Sequence, residues 1–294
     1  MSSHPAERTL SAIARAITYI EAHLRDDVTV ADMAAAAGYS LYHFIRTFDQ
    51  AVFHTPYNYL MRRRISEAAR ALIDTRRRVI DIAFDYRFNN HETFSRAFKR
   101  CFGLQPVQWR ERGVVPDGVL MPALTLPYLQ HIHRPDFQRP QVCEKPERLL
   151  VGLMAPLPEN DSQGIARLWA SLRQLGKAYW GETAAGRQIS VTLYMENGET
   201  FFMAGYEVAS VDAGPPMLAA LRLPAGKYVS VCHRGPVSEV PFTGAYLLHT
   251  WLPKASLSPA RPLAVYAYEE SRCWEVGLPV YADSREAGDK KHGA

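Results

Sequence analysis

The chain has 294 residues, 47% hydrophobic and 22% charged, with a formal net charge of +4. That is ordinary globular composition, long enough for two domains, and it excludes a disordered or fibrous chain. Apolar runs stay short of the roughly 18 residues that span a bilayer, and "MSSHPAERTL" lacks the charged-then-apolar order of a secretion signal, so the expectation is a cytoplasmic protein with no membrane partner.

Charge is uneven along the chain. Residues 1–112 hold 17 Lys+Arg against 12 Asp+Glu, while 113–294 hold 17 against 18. Sixteen of the first 17 are arginines, with runs at 62–64 and 76–78, and guanidinium suits bidentate phosphate contact. A charge run is also what a solvated helix face looks like, so the pattern needs company. The cysteines Cys101, Cys143, Cys232 and Cys273 form no C-x-x-C pair and read as reduced, packed thiols, with no disulfide frame, zinc site or other cofactor.

The first 112 residues read as successive helices. "ARAITYIEAHL" places Ile13, Ile17, Ile20 and Leu24 at helical spacing. Thr29 is positioned to cap "VADMAAAA", which stops at Gly38, and Ser40 to cap "LYHFIRTF". Thr55-Pro56 then starts a long helix running to about Asp74. The pattern recurs: Val30, Asp32, Met33 and Ala34 match Val79, Asp81, Ile82 and Ala83 at an offset of 49, and Phe44, Arg46 and Phe48 match Phe94, Arg96 and Phe98 at an offset of 50. The second turn is therefore one residue longer. Each unit is a short helix, a tight turn and a second helix with an apolar inner face, the geometry that puts a recognition helix into a major groove. A 19-residue connecting helix would span about 28 Å. One DNA turn is about 34 Å, so two such helices could enter successive grooves.

On these residues the segment 11–112 resembles the DNA-binding domain of the AraC family of bacterial transcription regulators. The most specific stretch is "FSRAFKRCFGLQPVQWR", carrying Phe94, Arg96, Phe98, Lys99, Gly103, Pro106 and Trp109-Arg110. The resemblance implies double-stranded DNA as partner, with contacts from Tyr42, His43, Ile45 and Arg46 in the first recognition helix and from Asn90, His91, Glu92, Thr93 and Arg96 in the second. Their chemistry differs. Arg46 and Arg96 can grip guanine O6 and N7, Asn90 and Thr93 suit phosphate contact or helix capping, and Ile45 offers only apolar contact, for example to a thymine methyl. Glu92 would repel phosphate unless it accepts from a cytosine amino group, and Lys99 and Arg100 read as backbone contacts. Arg87 stands where the family has a turn glycine. A positive φ there costs a non-glycine residue about 1 kcal/mol, which the longer turn offers a way to absorb.

Residues 113–145, punctuated by prolines, read as a linker unsuited to long helices. His131 and His133 lack the companions of a metal site and read as surface or packed side chains. From Pro146 to 282 a strand, a helix ("GIARLWASLRQLGKAYW") and a hairpin around Asn197-Gly198 are followed by the same kinds of element again, and 283–294 read as a tail. This is a duplicated α+β unit with a cleft for Trp169, Trp180, Tyr206, Trp251, Tyr266 and Trp274 to line, although such aromatics also fill cores.

The motifs "AGYEV", "LPAGKYVSVCHRGPV", "WLP" and "EVGLPV" resemble the GyrI-like effector-binding domain, and the domain order resembles Rob-type regulators. The fold class implied is multidomain: an all-α double helix-turn-helix domain followed by a duplicated α+β GyrI-like (SHS2-type) domain. The resemblance also implies an aromatic pocket for a small lipophilic effector. Many members carry an acid in the strand before the tyrosine, where this chain has Ala264 and Val265 before Tyr266. Glu207 or Glu269 could replace that acid if it points inward, so ligand charge stays open. Two further readings of this half are a small-molecule hydrolase and a ligand-free module touching RNA polymerase or another protein. Cys232-His233 is a poor catalytic pair, because neighbours on a strand point to opposite faces.

Overall fold

A computed structural model describes residues 7–115, 118–157, 161–180, 188–195, 199–209, 217–255, 257–259, 263–269 and 273–282. The chain divides into two compact units, Met1–Phe137 and Gln138–Ala294.

The first unit is helical. Helix α1 (Glu7–Ala22) buries Ile13, Ile17 and Ile20 along one stripe. It is followed by α2 (Val30–Ala37) and α3 (Leu41–Val52), then by α4 (Pro56–Asp74), and the pattern repeats in α5 (Val79–Asp85), α6 (His91–Phe102) and α7 (Pro106–Arg112). Local chemistry sets these boundaries. Thr29 and Asp32 form a reciprocal capping box at α2, Thr55 accepts from the Asn58 amide at α4, and Asn90 accepts from the Thr93 amide at α6. Ser40 holds the N-cap position of α3 without the side-chain bond expected of it.

The two units of the repeat share their backbone signature. Gly38 has φ 75° and Arg87 has φ 64°, and each is followed by the same closing bond, Tyr39 N to Ala34 O and Phe88 N to Ala83 O, both 3.0 Å. The longer second turn does not absorb the strain at Arg87. Its extra residue follows the left-handed position, between Phe88 and the cap Asn90. Phe53 (φ 59°) and Gly103 (φ 75°) likewise end α3 and α6.

The arginine run at 62–64 holds two internal struts, Arg63 and Arg64, whereas Arg76, Arg77 and Arg78 are exposed. Arg63, 5% exposed, donates to both oxygens of Glu21, to Glu67 and to the Met121 carbonyl. Burial works against its charge, but the bonds and charge of Glu21 outweigh this and hold its pKa above the usual arginine value. Arg64 donates to the carbonyls of Leu24 and Asp26, pinning the turn that follows α1. Arg110 satisfies the end of α4 through Leu72 O, at 2.9 Å, and also reaches Arg77 O. Arg77 and Arg78 pair with Asp85 and Asp81. A core of Leu72, Ile82, Phe88, Phe94, Phe98 and Trp109 closes the second half, with Trp109 Nε1 donating to Ala69 O.

The segment read as a linker is not one. Its first part belongs to the helical unit: Met121, Leu124, Tyr128, Leu129 and Ile132 are buried, and Thr125 caps a short helix, α8 (Leu126–Ile132), that packs on α1. The amides of Met121 and Leu124 bond Ser66 Oγ and Tyr59 Oη. His131 is buried, edge-on to Phe137, while His133 donates through Nε2 to Ala51 O and stacks on Phe53. Its second part enters the sheet of the next unit as β1 (Gln141–Lys145).

The second unit has nine described strands. They are β1, β2 (Arg148–Pro156), β3 (Gln188–Tyr194), β4 (Thr200–Val208), β5 (Ala219–Leu223), β6 (Gly226–His233), β7 (Leu257–Pro259), β8 (Leu263–Glu269) and β9 (Cys273–Ala282). The main path runs β1-β6-β9-β8-β3-β4-β2-β5, with β7 pairing β9. Helix α9 (Ser162–Trp180) packs on β2 and β4. The helical segment α10 (Val240–Tyr246), a π turn at Leu247–Trp251, and α11 (Leu252–Lys254) follows β6, and α10 packs on β6 and β9. A side chain at Gly152 would run into the Ala204 carbonyl, so β2 and β4 approach closely there. Asn197-Gly198, expected at a hairpin turn, lies outside the described residues, as does the 283–294 tail. Cys101 is exposed rather than packed, and Cys143 and Cys232 are partly buried thiols outside any disulfide.

Candidate functional site

In the helical unit, two faces stand out by their alternation. On α3, Phe44, Thr47 and Phe48 are buried while Tyr42, His43, Ile45 and Arg46 are exposed, Tyr42 by 81%. On α6, Phe94, Ala97 and Phe98 are buried while His91, Glu92, Thr93, Arg96, Lys99 and Arg100 are exposed. Core anchoring at equivalent positions of both helices therefore leaves equivalent faces outward. His43 lies edge-on to Tyr39 with ring centroids 4.6 Å apart, and its Nε2 is 3.5 Å from Thr47 Oγ1. Arg96 Nη2 is 3.8 Å from Glu92 Oε1, a solvated pair worth at most about 1 kcal/mol that can yield to another partner. Asn90 spends its side-chain oxygen on the cap, and Thr93 supplies the amide it binds, so Asn90 acts first through helix positioning.

In the second unit the described aromatic residues fall into two clusters on one face of the sheet. Trp169 of α9 donates through Nε1 to Ser190 Oγ at 3.1 Å and meets Tyr206 edge-on at 6.1 Å. Both pack with Leu172, Phe202 and Ala204. Trp251 packs in another cluster with Tyr194, Ala264, Leu247 and Val276. The central strands place Ser190 beside Tyr266 and Thr192 beside Ala264, and Ser190, Thr192 and Ala264 are all buried. These two hydroxyls escaped sequence reasoning; strict alternation along "ISVTLY" would have put them on the helix side. The side chains of Trp180, Tyr266 and Trp274 lie outside the described residues, and so does that of Glu269.

Glu207 is not with the aromatics. It follows Tyr206 on β4 and pairs with Leu150, a residue of the core on the other side of the sheet. It lines a different groove with Glu147, Arg148 and Arg222. His233 is likewise occupied: Nε2 donates to Pro236 O at 3.0 Å and Nδ1 accepts from Thr243 Oγ1 at 2.8 Å. Cys232 points to the other face, opposite Glu275. Among the described residues no group of three or more His, Cys, Asp or Glu is arranged to hold a metal ion, and no helix is long and apolar enough to cross a membrane.

Comparison with known proteins matches both units. A helix-turn-helix domain family matches residues 33–112, and the GyrI-like small molecule binding domain family matches 138–275. The HTH-type transcriptional activator AarP of Providencia stuartii is 36% identical over 100 residues, which is 34% of this chain and 74% of AarP. The chain belongs to the AraC family of transcriptional regulators. Two longer relatives match over the same kind of stretch. Right origin-binding protein of Escherichia coli (strain K12) is 39% identical over 94 residues, 32% of each chain, and the uncharacterized regulator YbfP of Bacillus subtilis (strain 168) is 35% identical over 99 residues, 34% of each. The matched stretch thus spans about a third of these two relatives. This AraC-family chain joins its helix-turn-helix region to a GyrI-like domain, as the motifs in its sequence implied.

Proposed function

We propose that the chain is a one-component transcriptional regulator that binds double-stranded DNA through α3 and α6 and a small lipophilic effector through its GyrI-like unit. The observation that carries the DNA half is the matched register of the recognition helices: buried Phe44/Phe48 and Phe94/Phe98 hold Arg46 and Arg96 outward at equivalent positions. Arg46 and Arg96 read guanine edges, Ile45 and Tyr42 supply apolar contact, and Lys99 and Arg100 hold the backbone. Hydroxyl-radical footprinting with salt titration tests it. Protection over two successive major grooves, with affinity falling steeply as salt rises, is the expected result; a one-groove footprint would overturn it.

For the effector, the layer between helices and sheet around Trp169, Tyr206, Ser190 and Thr192 is the site, with Trp251 on the same face of the sheet as a further aromatic; Trp180, Tyr266 and Trp274 are the sequence's other aromatic candidates for it. Ala264 is buried there without a carboxylate, which favours a neutral or weakly charged lipophile bound by burial and stacking. Titrating matched cationic and neutral dyes against wild type and Ala264→Glu, read by tryptophan quenching, tests this. The wild type should show little charge preference and the variant should turn toward cations. A second reading, a ligand-free protein-contact module touching RNA polymerase, is favoured by the close packing of Tyr206, Ser190 and Thr192. A thermal-shift screen in which no lipophile raises the melting point would support that reading instead. Hydrolysis has no supporting geometry at Cys232-His233, and a cytoplasmic location goes with the regulatory role.

A further inference from the structure

The GyrI-like unit contains a second concavity, on the strand ends of β2, β4 and β5, with a volume of about 500 Å³. It is lined by Glu147, Arg148, Leu149, Glu207, Val208 and Arg222. Arg148 and Glu207 lie on the sheet face opposite Tyr206, whereas Leu149 and Val208 lie on the Tyr206 face. The groove therefore wraps the strand ends, and the sheet separates its Arg148 and Glu207 side from Trp169 and Tyr206.

Arg148 is its unusual member. The residue is only 7% exposed, its guanidinium carbon lies 5.7 Å from the centroid of the Tyr228 ring, and its buried Nε has no hydrogen-bond partner. A desolvated guanidinium is costly unless an anion or acceptor meets it, and a buried donor without a partner calls for a missing one. Neighbouring acids do not fill that role by strong pairing: Glu147 is bonded to Arg222 at 2.9 Å, and Glu207 makes no ion pair with Arg148. The groove therefore presents a fixed cation on an aromatic face at its base and a carboxylate at its wall.

We propose that this groove binds a small organic monocarboxylate that also carries a hydroxyl or amine donor. The carboxylate takes the fork of Arg148, as planar guanidinium favours, and the donor meets Glu207. Glu207 disfavours a dianion, so inorganic phosphate is the weaker ligand. The volume suits a small molecule rather than a chain.

The test uses the full chain, with 3-hydroxybutyrate, its neutral amide and inorganic phosphate as probes. Binding is read by saturation-transfer NMR and by the shift in melting temperature. The expected order is hydroxycarboxylate, then phosphate, with no saturable binding of the amide. Arg148→Gln should weaken the hydroxycarboxylate at least about tenfold, the loss of a charge-assisted bond. Glu207→Gln, a milder change that keeps the site's shape, should narrow or reverse the preference over phosphate. Failure of the wild type to bind either anion would show that solvent alone serves Arg148 and would overturn the proposal. So would binding that neither variant alters. If Arg148→Gln does not fold, the phosphate preference of Glu207→Gln decides alone.

Discussion

Gly38 and Arg87 occupy the same place in the two helix-turn-helix units and share a left-handed backbone, φ 75° and φ 64°, though only one is glycine. Arg87 partly offsets its strain by donating from Nε to Arg25 O at 2.8 Å, tying the second turn to the segment after α1. Arg87→Ala keeps the strain and loses this bond. Arg87→Gly loses the bond and relieves the strain, so it should be the more stable variant by about 1 kcal/mol in urea denaturation. Equal stabilities would mean the turn relaxes when the arginine is removed.

Outward positions on α3 and α6 should divide by role. Arg46→Ala and Arg96→Ala are each expected to lose about 1–3 kcal/mol of discrimination, at base positions about one helical turn apart. Lys99→Ala should weaken all sequences about equally and reduce the salt slope. Binding-site selection on randomised duplexes measures both; three sequence-blind losses would reassign the arginines to the backbone.

Arginines that look alike in the sequence should differ widely in stability. Removing Arg63 strands Glu21 and the Met121 carbonyl inside the fold, so Arg63→Met should cost about 3–5 kcal/mol. Arg78→Ala breaks an exposed, solvent-screened pair and should leave stability nearly unchanged. Paired urea titrations check the contrast.

Acid should loosen the helical unit in a defined direction. Asp32 is held below the ordinary aspartate pKa by its side-chain bond with Thr29 and the Thr29 amide, and Asp81 and Asp85 are lowered by bonds from Arg78 and Arg77. A depressed carboxylate stabilises the fold above its unfolded pKa and loses that contribution as pH falls through the folded one. Stability should therefore drop below about pH 4, the unfolded aspartate value, and Asp32→Asn should flatten part of that slope while lowering stability at neutral pH. Circular dichroism of acid titrations decides; an unchanged slope would remove the capping box from the account.

Truncation should show where the helical unit ends. A fragment ending at 137 retains Met121, Leu124, Tyr128, Leu129 and Ile132, each worth up to about 1.5–3 kcal/mol when buried. A fragment ending at 113 should melt markedly lower. Equal melting temperatures would make residues 114–137 a passive covering.

The local signals of the chain determined its helical unit closely. Periodic isoleucines, Thr55-Pro56, Thr29 with Asp32, and the offset of 49 to 50 residues are short-range features, and each boundary they set depends on nearby backbone bonds. The outward faces of α3 and α6 were legible for the same reason, since Phe44/Phe48 and Phe94/Phe98 encode the inner face. Tertiary structure alone decided the fate of groups that look for partners far away in sequence. Arg63 and Arg64 read as surface charge until Glu21, Leu24 and Asp26, roughly 40 residues away, close around them. Proline-rich 113–137 read as linker because its burial rests on bonds to Tyr59, Arg63 and Ser66, which no local pattern announces. Strand alternation separates Tyr206 from Glu207, but which neighbours each meets depends on sheet order and on where α9 lies, and those are set by long-range packing.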